Sequence, residues 1–568
     1  MMRYVTQWLQ KDPDPKTREE LQYLVEEQMT AELEDRFNTR LQFGTAGLRG
    51  KVGCGPNRMN RLVIQETSAG LADYLIKQVS NAKTRGVVIG YDGRPDSQQF
   101  AQDAASVLTA HGIKVYLTYK VAPTPVVAFG VKHFSAAAAI VVTASHNPPE
   151  YNGFKVYWEN GAQIIPPHDA GIAAAIDVAA TQPINQLGLE QAEQQGLLVW
   201  LKDEYYQAYR QATHQQPLLN NHSAPKDLVI AYTAMHGVGA DMAETLLADA
   251  GFTQVHSVAK QREPDGTFPT VNFPNPEETG AMDLVMALGK NTQADIACAN
   301  DPDADRFAVA ARKTDGTYQM LTGDQVGSLF GEYLLNNCDA KTKLVGNTIV
   351  SSSLLSKIAQ AKGAQYYQTL TGFKWLTNVA MEKQTADHEF LFAYEEALGY
   401  TIGTTVWDKD GLTALVAFAQ LAAQLKQQGK TVWDALEDLY RQHGLYVTAQ
   451  RSIALDPKSP PVGDTLRHQP PKEIAGRRVE VTEDYKLCER HFANGDKELI
   501  AMPASDVLVY HLEGGARVIV RPSGTEPKLK CYYEVVGEFG AELSFEQAQQ
   551  QAEEQMAMLI AEHQHSLN

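Results

Sequence analysis

Apolar runs and amphipathic stretches alternate along most of the chain. Ala136–Val142 and Ala294–Ala299 are mainly apolar runs of a length typical of buried strands. Arg61–Val79 and Ser97–Ala110 instead carry apolar residues at helical spacing. The order of strand, glycine-containing turn and helix recurs twice more along the chain. This repeated order of elements predicts largely parallel sheets that are covered by helices on both faces.

Three regions depart from this alternation. Between Trp8 and Asn38 the apolar spacing predicts two helices, of which Asp12–Pro15 starts the second. The segment from Ala170 to Ala212 is rich in Ala, Gln and Glu and is predicted to be largely helical. After Tyr446, predicted strands around a Gly-Gly turn precede a terminal helix at Phe545–His563, which indicates a smaller α+β domain.

We therefore predict an α/β protein with three related domains of mixed or parallel sheet and a smaller C-terminal α+β domain. The predicted domains are residues 1–214, 215–321, 322–445 and 446–568. The chain length of 568 residues agrees with this division, because domains average about 150 residues.

Composition narrows the classes of function. The formal net charge of -18 argues against a nucleic-acid partner, since phosphate backbones are bound by basic faces. The five cysteines contain no Cys-x-x-Cys pair, so they offer no zinc framework and fit a reducing compartment. No secretory signal and no apolar run of membrane-spanning length is found. We expect a cytoplasmic protein with no membrane partner, and no protein partner is evident.

The stretch Thr143–Lys155 is the first candidate site. It follows the strand predicted at Ala136–Val142, which places Ser145 at the carboxyl edge of a sheet, where α/β enzymes carry out chemistry. Ser145 lacks the G-x-S-x-G context of a hydrolase nucleophile, and on an extended segment the side chain of His146 would point away from it. A serine that already carries a phosphoryl group needs no activation. It would be a donor, and it would need a cation nearby.

The second candidate site is the acidic triplet Asp301, Asp303 and Asp305, directly after the strand predicted at Ala294–Ala299. Carboxylates at every second residue can converge on a hard cation, and Mg²⁺ suits this set together with phosphate oxygens. The spacing rules of a calcium loop are not met. An acidic surface turn is the alternative, since Asp and Pro are ordinary turn residues. Together with the serine motif, the metal interpretation is favoured.

Two further stretches are predicted to contact phosphate. Phe43–Gly50 has three glycines around Arg49, so the backbone can approach a ligand closely; a flexible loop is the alternative. Arg521–Lys528 combines arginine, lysine, hydroxyls and glycine, the groups of an anion nest, and a polar hairpin turn is its alternative. Asp92–Pro95 could orient the segment of Ser145, but a simple strand-to-helix turn is favoured.

These motifs resemble those of the α-D-phosphohexomutase superfamily, the phosphoglucomutase and phosphomannomutase enzymes. Thr371–Trp375 with Glu395–Tyr400 resembles its sugar-recognition region, and Arg521–Lys528 resembles its phosphate-binding loop. The motifs occur in the family's order over nearly the whole chain. The Glu-Glu-Ala-x-Gly-Tyr form most resembles the branch of phosphoglucomutase 2, which includes phosphopentomutases, and of related bacterial phosphoglucomutases. The resemblance implies four domains around a central cleft.

The resemblance also implies an isomerase of carbohydrate metabolism. Ser145 would pass a phosphoryl group to glucose phosphate, form a sugar 1,6-bisphosphate and take back its other phosphate. Mg²⁺ would be held by phosphorylated Ser145 and the three aspartates of the triplet. His146, Lys155 and Lys409 are the implied bases, although a solvated surface position is the alternative for both lysines. The implied substrate-binding residues are Arg49, Arg306, Thr371, Gly372, Glu395, Arg521, Ser523, Gly524, Thr525 and Lys528.

The identity of the sugar stays open at this point. Ala397 stands where many phosphoglucomutases place Ser, so mannose phosphates and pentose phosphates are alternatives to glucose phosphate. A sugar-phosphate phosphatase and a non-catalytic sugar-phosphate sensor are hypotheses from other classes. Because two phosphates must be accommodated in turn, a mobile fourth domain acting as a lid is also predicted.

Overall fold

The computed structural model describes residues 2–220, 223–455, 461–522 and 528–567. The chain forms two compact units. Unit 1 comprises Met1–Leu321 and Leu398–Gly429, and unit 2 comprises Thr322–Ala397 and Lys430–Asn568. Unit 1 therefore contains the first two predicted domains together with the segment Leu398–Gly429 of the third.

In chain order, the helices are α1 (Met2–Lys11), α2 (Pro15–Glu26), α3 (Thr30–Phe37), α4 (Arg61–Gln78), α5 (Ala82–Arg85), α6 (Ser97–Ala110), α7 (Thr124–Phe134), α8 (His168–Ala179), α9 (Leu189–Gln194), α10 (Asp203–His214), α11 (Ala240–Asp249), α12 (Ala259–Arg262), α13 (Asp283–Thr292), α14 (Gly323–Asn336), α15 (Leu354–Lys362), α16 (Phe373–Lys383), α17 (Gly411–Gln427), α18 (Val432–His443), α19 (Val462–His468) and α20 (Phe545–Leu567).

In the same order, the strands are β1 (Leu48–Lys51), β2 (Val87–Tyr91), β3 (Val115–Thr118), β4 (Ala138–Val142), β5 (Tyr151–Tyr157), β6 (Leu198–Leu201), β7 (Val229–Thr233), β8 (Gln254–Ser257), β9 (Ile296–Ala299), β10 (Ala308–Arg312), β11 (Tyr318–Met320), β12 (Lys343–Thr348), β13 (Gln365–Thr369), β14 (Glu389–Glu395), β15 (Gly399–Ile402), β16 (Leu445–Ala454), β17 (Glu473–Ile474), β18 (Arg477–Asp484), β19 (Glu489–Phe492), β20 (Lys497–Leu499), β21 (Leu508–Leu512), β22 (Arg517–Pro522) and β23 (Lys528–Gly537).

Unit 1 contains two mixed sheets. In the first, the order is β1-β5-β4-β2-β3-β6, with β4, β2, β3 and β6 parallel and the other two strands antiparallel. In the second, the order is β11-β10-β9-β7-β8, with β9, β7 and β8 parallel. The central strands β2, β4 and β9 are buried along their whole length, which explains their continuous apolar sequences.

Unit 2 contains a parallel α/β layer and an antiparallel sheet. Strands β13, β12 and β14 run parallel, with β12 in the middle. Strands β16, β23, β22, β21, β18, β19 and β20 follow one another in an antiparallel sheet, and β17 pairs with β18. The long helix α20 packs against β23 and β16. The predicted architecture of three α/β domains and a smaller C-terminal domain is confirmed.

One secondary-structure prediction was wrong and one was incomplete. The N-terminal region forms three helices and not two, because Gln28 between α2 and α3 has a left-handed backbone with φ of 53°. The segment from Ala170 to Ala212 is largely helical, as predicted, but it also contains the strand β6, which pairs in parallel with β3 at the sheet edge. Among the residues that the structure describes, none of the helices combines the length and apolar character that crossing a membrane requires.

Candidate active site

Ser145 lies in the loop that follows β4 in unit 1. Its backbone is left-handed, with φ of 53°, a conformation that a residue with a side chain adopts only when its surroundings hold it there. The amide of Ser145 donates to Thr143 Oγ1 at 2.9 Å, and that hydroxyl donates to Asp92 Oδ2 at 2.7 Å. The end of β2 therefore fixes the serine through two successive hydrogen bonds.

This backbone conformation also corrects a prediction about His146. The side chains of Ser145 and His146 were expected to diverge, yet the serine Oγ and the imidazole Nδ1 are 3.3 Å apart. Burial, followed by the positive charges of Arg306 and Arg49, lowers the pKa of His146 to about 2. The imidazole is thus neutral near pH 7, and the same shift makes it a weak proton acceptor.

Arg94 supports the same loop from the turn after β2. Its guanidinium is buried, lies 5.1 Å from the centre of the Phe268 ring and forms an ion pair with Asp92. The guanidinium donates at 2.7–2.9 Å to four carbonyl oxygens of the loop, those of Ser145, Asn147, Pro148 and Tyr151. The prediction of a simple strand-to-helix turn at Asp92–Pro95 was therefore incomplete.

The acidic triplet lies directly beside the serine. The hydroxyl of Ser145 donates to Asp301 Oδ2 at 2.8 Å. One carboxylate oxygen from each of Asp301, Asp303 and Asp305 lies within 4.8 Å of the others, and all three residues are 0% exposed. The alternative of an acidic surface turn is therefore wrong.

The conformation of the triplet loop is fixed by amide contacts. Asn300 Nδ2 donates to the carbonyls of Arg306 at 2.7 Å and Gly411 at 3.0 Å. The amide of Arg306 donates to Asp301 Oδ1 at 3.0 Å, which closes the loop on itself. Gly411 must be glycine, because a Cβ atom there would lie 2.1 Å from the carbonyl oxygen of Arg306.

Two lysines meet the triplet. Lys155 Nζ is 2.8 Å from Asp303 Oδ2 and 3.0 Å from Asp305 Oδ2, and Lys409 Nζ is 3.5 Å from the same oxygen of Asp305. Both lysines are buried, so the surface alternative was wrong for both. Burial by itself lowers the pKa of each lysine, but the neighbouring aspartates outweigh it, and both pKa values are raised. Each lysine therefore carries its proton.

The carboxylates of the triplet differ in the direction of their pKa shifts. Burial and the neighbouring carboxylates raise the pKa of Asp301 well above its usual value. Burial would do the same for Asp303, but the ammonium of Lys155 outweighs it and holds the pKa below its ordinary value. Within the described residues, Asp303 Oδ1 and Asp305 Oδ1 are buried without a hydrogen-bond partner. Buried carboxylate oxygens left unpaired are costly, so these two atoms fit a cation ligand set.

The remaining predicted residues of unit 1 lie at the edge of this cluster. Arg49 is an exposed residue of β1, and its Nη1 donates to Asn147 Oδ1 at 3.2 Å. Arg306 follows the triplet and bridges to Gly399 at the start of β15. Unit 1 thus brings together Ser145, His146, Lys155, the triplet and Lys409, with the two arginines beside them.

The other predicted residues belong to unit 2. Thr371 and Gly372 precede α16, and Gly372 has a φ of 115° that favours glycine. Glu395 ends β14 and is partly buried. Arg521 lies on β22, where its Nη2 donates to the hydroxyl of Tyr532 at 3.1 Å. Lys528 begins β23, while Ser523, Gly524 and Thr525 lie outside the described residues.

Family models match four consecutive stretches of the chain. They are the phosphoglucomutase/phosphomannomutase alpha/beta/alpha domains I, II and III, at residues 40–182, 203–316 and 322–443, and the C-terminal domain, at residues 477–542. The chain belongs to the phosphoglucomutase/phosphomannomutase family. It is an enzyme of the intramolecular phosphotransferase class, as predicted.

Individual family members agree with this assignment. The chain is 42% identical over 486 residues to a protein of Haemophilus influenzae named "Probable phosphomannomutase", with 84% of this chain and 93% of the relative covered. It is 37% identical over 553 residues to a "Probable phosphoribomutase" of Schizosaccharomyces pombe, covering 94% and 93%. A crystal structure of the phosphoglucomutase pp63/parafusin from Paramecium has the same fold, with a TM-score of 0.67 and 17% identity over 92% of this chain and 96% of that one.

Several residues that shape the site of this phosphomutase were missed at the sequence level. Thr124 at the start of α7 donates to Asp303 Oδ2 at 2.6 Å through its hydroxyl and to the Asp303 carbonyl at 2.8 Å through its amide. The hydroxyl of Tyr157 donates to Asp408, the neighbour of Lys409. Asp408 was visible in the Asp-Lys-Asp-Gly stretch, but nothing in the local sequence marks Thr124 or Tyr157.

Proposed function

We propose that this enzyme moves a phosphoryl group between C1 and C6 of glucose phosphate through a phosphorylated Ser145 and a sugar 1,6-bisphosphate. The main support is the hydrogen bond of 2.8 Å from Ser145 Oγ to Asp301. Asp301 belongs to the buried triplet, in which Asp303 Oδ1 and Asp305 Oδ1 have no hydrogen-bond partner among the described residues. A hydroxyl in this position stores a phosphoryl group beside a cation site. The choice of glucose comes from the resemblance of the Glu395–Tyr400 motif to phosphoglucomutases.

The cation proposed for the triplet is Mg²⁺, held by Asp301, Asp303 and Asp305 with an oxygen of phosphorylated Ser145. Hard cations prefer such oxygen ligands, and Mg²⁺ commonly shares its coordination between carboxylates and phosphate. When bound, the ion supplies charge stabilisation to phosphoryl oxygens. Lys155 and Lys409 then lie beside the carboxylates that face the ion, and their positive charges suit the remaining phosphate oxygens.

The transfer itself breaks the bond between Ser145 Oγ and phosphorus and forms a new bond from phosphorus to a sugar hydroxyl oxygen. The hydroxyl proton must pass to a base, for which His146, Lys155 and Lys409 are the proposed candidates. His146 is neutral but its low pKa makes it a weak proton acceptor, whereas Lys155 and Lys409 are protonated and would have to lose a proton first. Such reactions depend mainly on positioning and electrostatics. Glu395 is proposed to bind sugar hydroxyls, and Arg521 and Lys528 the non-reacting phosphate.

A pentose phosphate is the second candidate substrate. Ala397 lacks the hydroxyl that many phosphoglucomutases supply at this position, and the phosphoribomutase relative is similar over 94% of this chain. A binding site that forms a hydrogen bond to a sugar hydroxyl discriminates against sugars without that hydroxyl. Loss of the serine hydroxyl at position 397 therefore widens the range of sugars that the site accepts. Mannose phosphate is the further alternative, in line with the Haemophilus influenzae relative.

The test is a comparison of kcat/KM for glucose 1-phosphate, ribose 1-phosphate and mannose 1-phosphate, each with its catalytic bisphosphate and Mg²⁺. Glucose 1-phosphate is expected to give the highest value. Steady release of inorganic phosphate without isomerised product would identify a phosphatase instead. If intact-mass measurement of the turning-over enzyme finds no added phosphate on Ser145, the proposed mechanism is wrong.

A further inference from the structure

Unit 2 contains a buried ion pair whose hydrogen bonds lead to the proposed sugar-binding carboxylate. Arg517 on β22 and Glu534 on β23 are directly opposite each other across the antiparallel pair. The guanidinium Nε donates to Glu534 Oε1 at 3.0 Å, and the two side chains are 7% and 2% exposed. Burying two charges is expensive unless further hydrogen bonds satisfy them. The destination of those further bonds therefore indicates what the pair does.

Both members of the pair bond to one short segment, residues 349–353, which we call the Ser351 turn. It connects β12 to α15. Arg517 donates through Nη1 to the carbonyl of Ile349 at 3.2 Å and through Nη2 to that of Ser351 at 2.7 Å. Glu534 accepts from the amide of Ser353 at 3.1 Å and from its hydroxyl at 2.6 Å. The C-terminal sheet thus fixes a turn of the preceding α/β layer at both ends.

The Ser351 turn is itself hydrogen-bonded to Glu396. The hydroxyl of Ser351 donates to Glu396 Oε2 at 2.6 Å, and Thr348 Oγ1 lies 3.3 Å from the same oxygen. The backbone of Glu396 also packs closely on Gly323, where a Cβ atom would lie 1.9 Å from the Glu396 carbonyl oxygen. Glu396 is thus held by its side chain and packs closely through its main chain, and Glu395 is its immediate neighbour.

An apolar cluster lies against the same turn. Ile349 and Val350 of the turn pack with Leu370 and Tyr532, among other buried residues of unit 2. Leu370 directly precedes Thr371, and Tyr532 accepts the hydrogen bond of Arg521. The segments proposed to bind the sugar and its non-reacting phosphate are therefore both joined to the Ser351 turn.

We propose that the Arg517–Glu534 pair and Ser351 are positioning residues for substrate binding. Through the Ser351 turn they orient Glu396, and through Glu396 they orient Glu395 towards the sugar hydroxyls. The inference rests on the proposed function, because it takes Glu395 as the sugar-binding carboxylate. It adds a role for residues that do not themselves touch the substrate.

The central test is Ser351→Ala, assayed with the best substrate of the wild-type enzyme. The variant is expected to raise KM about tenfold, because a buried oxygen of Glu396 loses its hydroxyl donor, and to lower kcat less than about threefold. KM changes more than kcat because Glu395 holds the sugar equally before and during transfer. Ser351→Thr keeps a hydroxyl and is expected to recover most of the affinity.

Ser328→Ala is the matched control, because Ser328 is also a buried serine of unit 2 but, among the described residues, its hydroxyl has no hydrogen-bond partner. It should leave both kinetic constants within about twofold of wild type. If Ser351→Ala has the KM of the wild-type enzyme, or if both serine variants change KM equally, the positioning role is overturned.

The ion pair is tested by conservative and by apolar replacement. Arg517→Lys keeps the charge but not the fork of donors, and it is expected to raise KM about threefold to tenfold. Since a lone buried charge can prevent folding, the double variant Arg517→Met with Glu534→Leu removes both charges together. It should keep a cooperative thermal transition and still raise KM. A normal KM in a stable double variant would show that the pair is only structural.

These outcomes are separable from failure of the proposed function. If the wild-type enzyme interconverts none of the three sugar phosphates, the function is wrong, and the inference that rests on it falls as well. If the wild-type enzyme turns over and phosphorylates Ser145, but KM is insensitive to Ser351 and Arg517, the function stands and the positioning inference alone fails.

Discussion

Arg94 in unit 1 and Arg517 in unit 2 both hold a loop in place, but they differ in their electrostatic surroundings. Each is a buried arginine that pairs with one carboxylate and donates to carbonyl oxygens of a loop. Arg94 holds the loop of Ser145, and Arg517 holds the Ser351 turn. A guanidinium suits both tasks, because it offers five donors in one plane.

The two arginines differ in how their charge is compensated. Burial lowers the pKa of Arg94 more than Asp92 and the other carboxylates raise it, so its pKa is below the usual value. For Arg517 the carboxylate of Glu534 outweighs burial, and the pKa is raised. The neighbouring carboxylates therefore offset the cost of burying the guanidinium incompletely at Arg94 and completely at Arg517.

The largest effect is expected from replacing the serine that Arg94 positions. Ser145→Ala should lower kcat by about 10³-fold or more, because alanine has no hydroxyl to carry the phosphoryl group. The measurement is steady-state conversion of sugar 1-phosphate, together with intact mass before and after bisphosphate treatment. Ser68→Ala replaces another buried serine of unit 1 and should be close to wild type. Full activity of the Ser145 variant would contradict the phosphoserine mechanism.

The second largest effect concerns the triplet. Asp303→Asn removes a carboxylate that faces Lys155 and the proposed cation, and it should lower kcat/KM by about 10²-fold or more. Titration calorimetry with Mg²⁺ should show weaker binding in the same variant, independently of catalysis. Asp12→Asn is the control, since Asp12 is a buried aspartate elsewhere in unit 1. Unchanged Mg²⁺ affinity in the Asp303 variant would place the cation elsewhere.

A smaller effect separates the two arginines directly. Arg94→Lys loses several of the four carbonyl contacts and should lower kcat about tenfold with little change in KM, because it misplaces the serine and not the sugar. Arg61→Lys, whose guanidinium pairs with Asp103 away from the loop, is the control. If Arg94→Lys and Arg517→Lys alter the same kinetic constant, the distinction between the two arginines is lost.

The smallest effect is a pH dependence of stability in unit 2. Burial, then Glu395 and Asp324, raises the pKa of Glu396 to about 8. The folded chain therefore keeps a proton that the unfolded chain loses above about pH 4.3. This contribution is fully present below that pH and is lost as the pH rises through about 8.

Glu396→Gln should flatten this decline, because the amide does not titrate. The expected result is an unfolding midpoint that falls less between acid and alkaline conditions in the variant than in the wild type, measured by calorimetry across that pH range. Glu513→Gln changes an exposed glutamate of unit 2 and should leave the pH profile as it is. An unchanged slope in the Glu396 variant would mean that this carboxylate is already ionised when the chain is folded.

Much of the fold could be predicted because its signals are local. Helix α6 begins and ends at the predicted residues Ser97 and Ala110, and the buried strands β4 and β9 lie inside the predicted apolar runs. The departures from prediction have causes that the local sequence does not mark. Gln28 adopts a left-handed backbone without being glycine or asparagine, and β6 is a four-residue strand that exists through its pairing with β3.

The sequence by itself indicated two candidate groups for the chemistry, a strand-end serine and an acidic triplet, whereas it favoured a simple turn for the segment of Arg94. These depend on neighbours along the chain, so spacing and residue type suffice to find them. Only the tertiary structure brought Lys155 to Asp303 across 148 residues, and Arg517 to the carbonyl of Ser351 across 166. Such contacts depend on which strands become adjacent, and short-range backbone preferences carry no information about partners so far away along the chain.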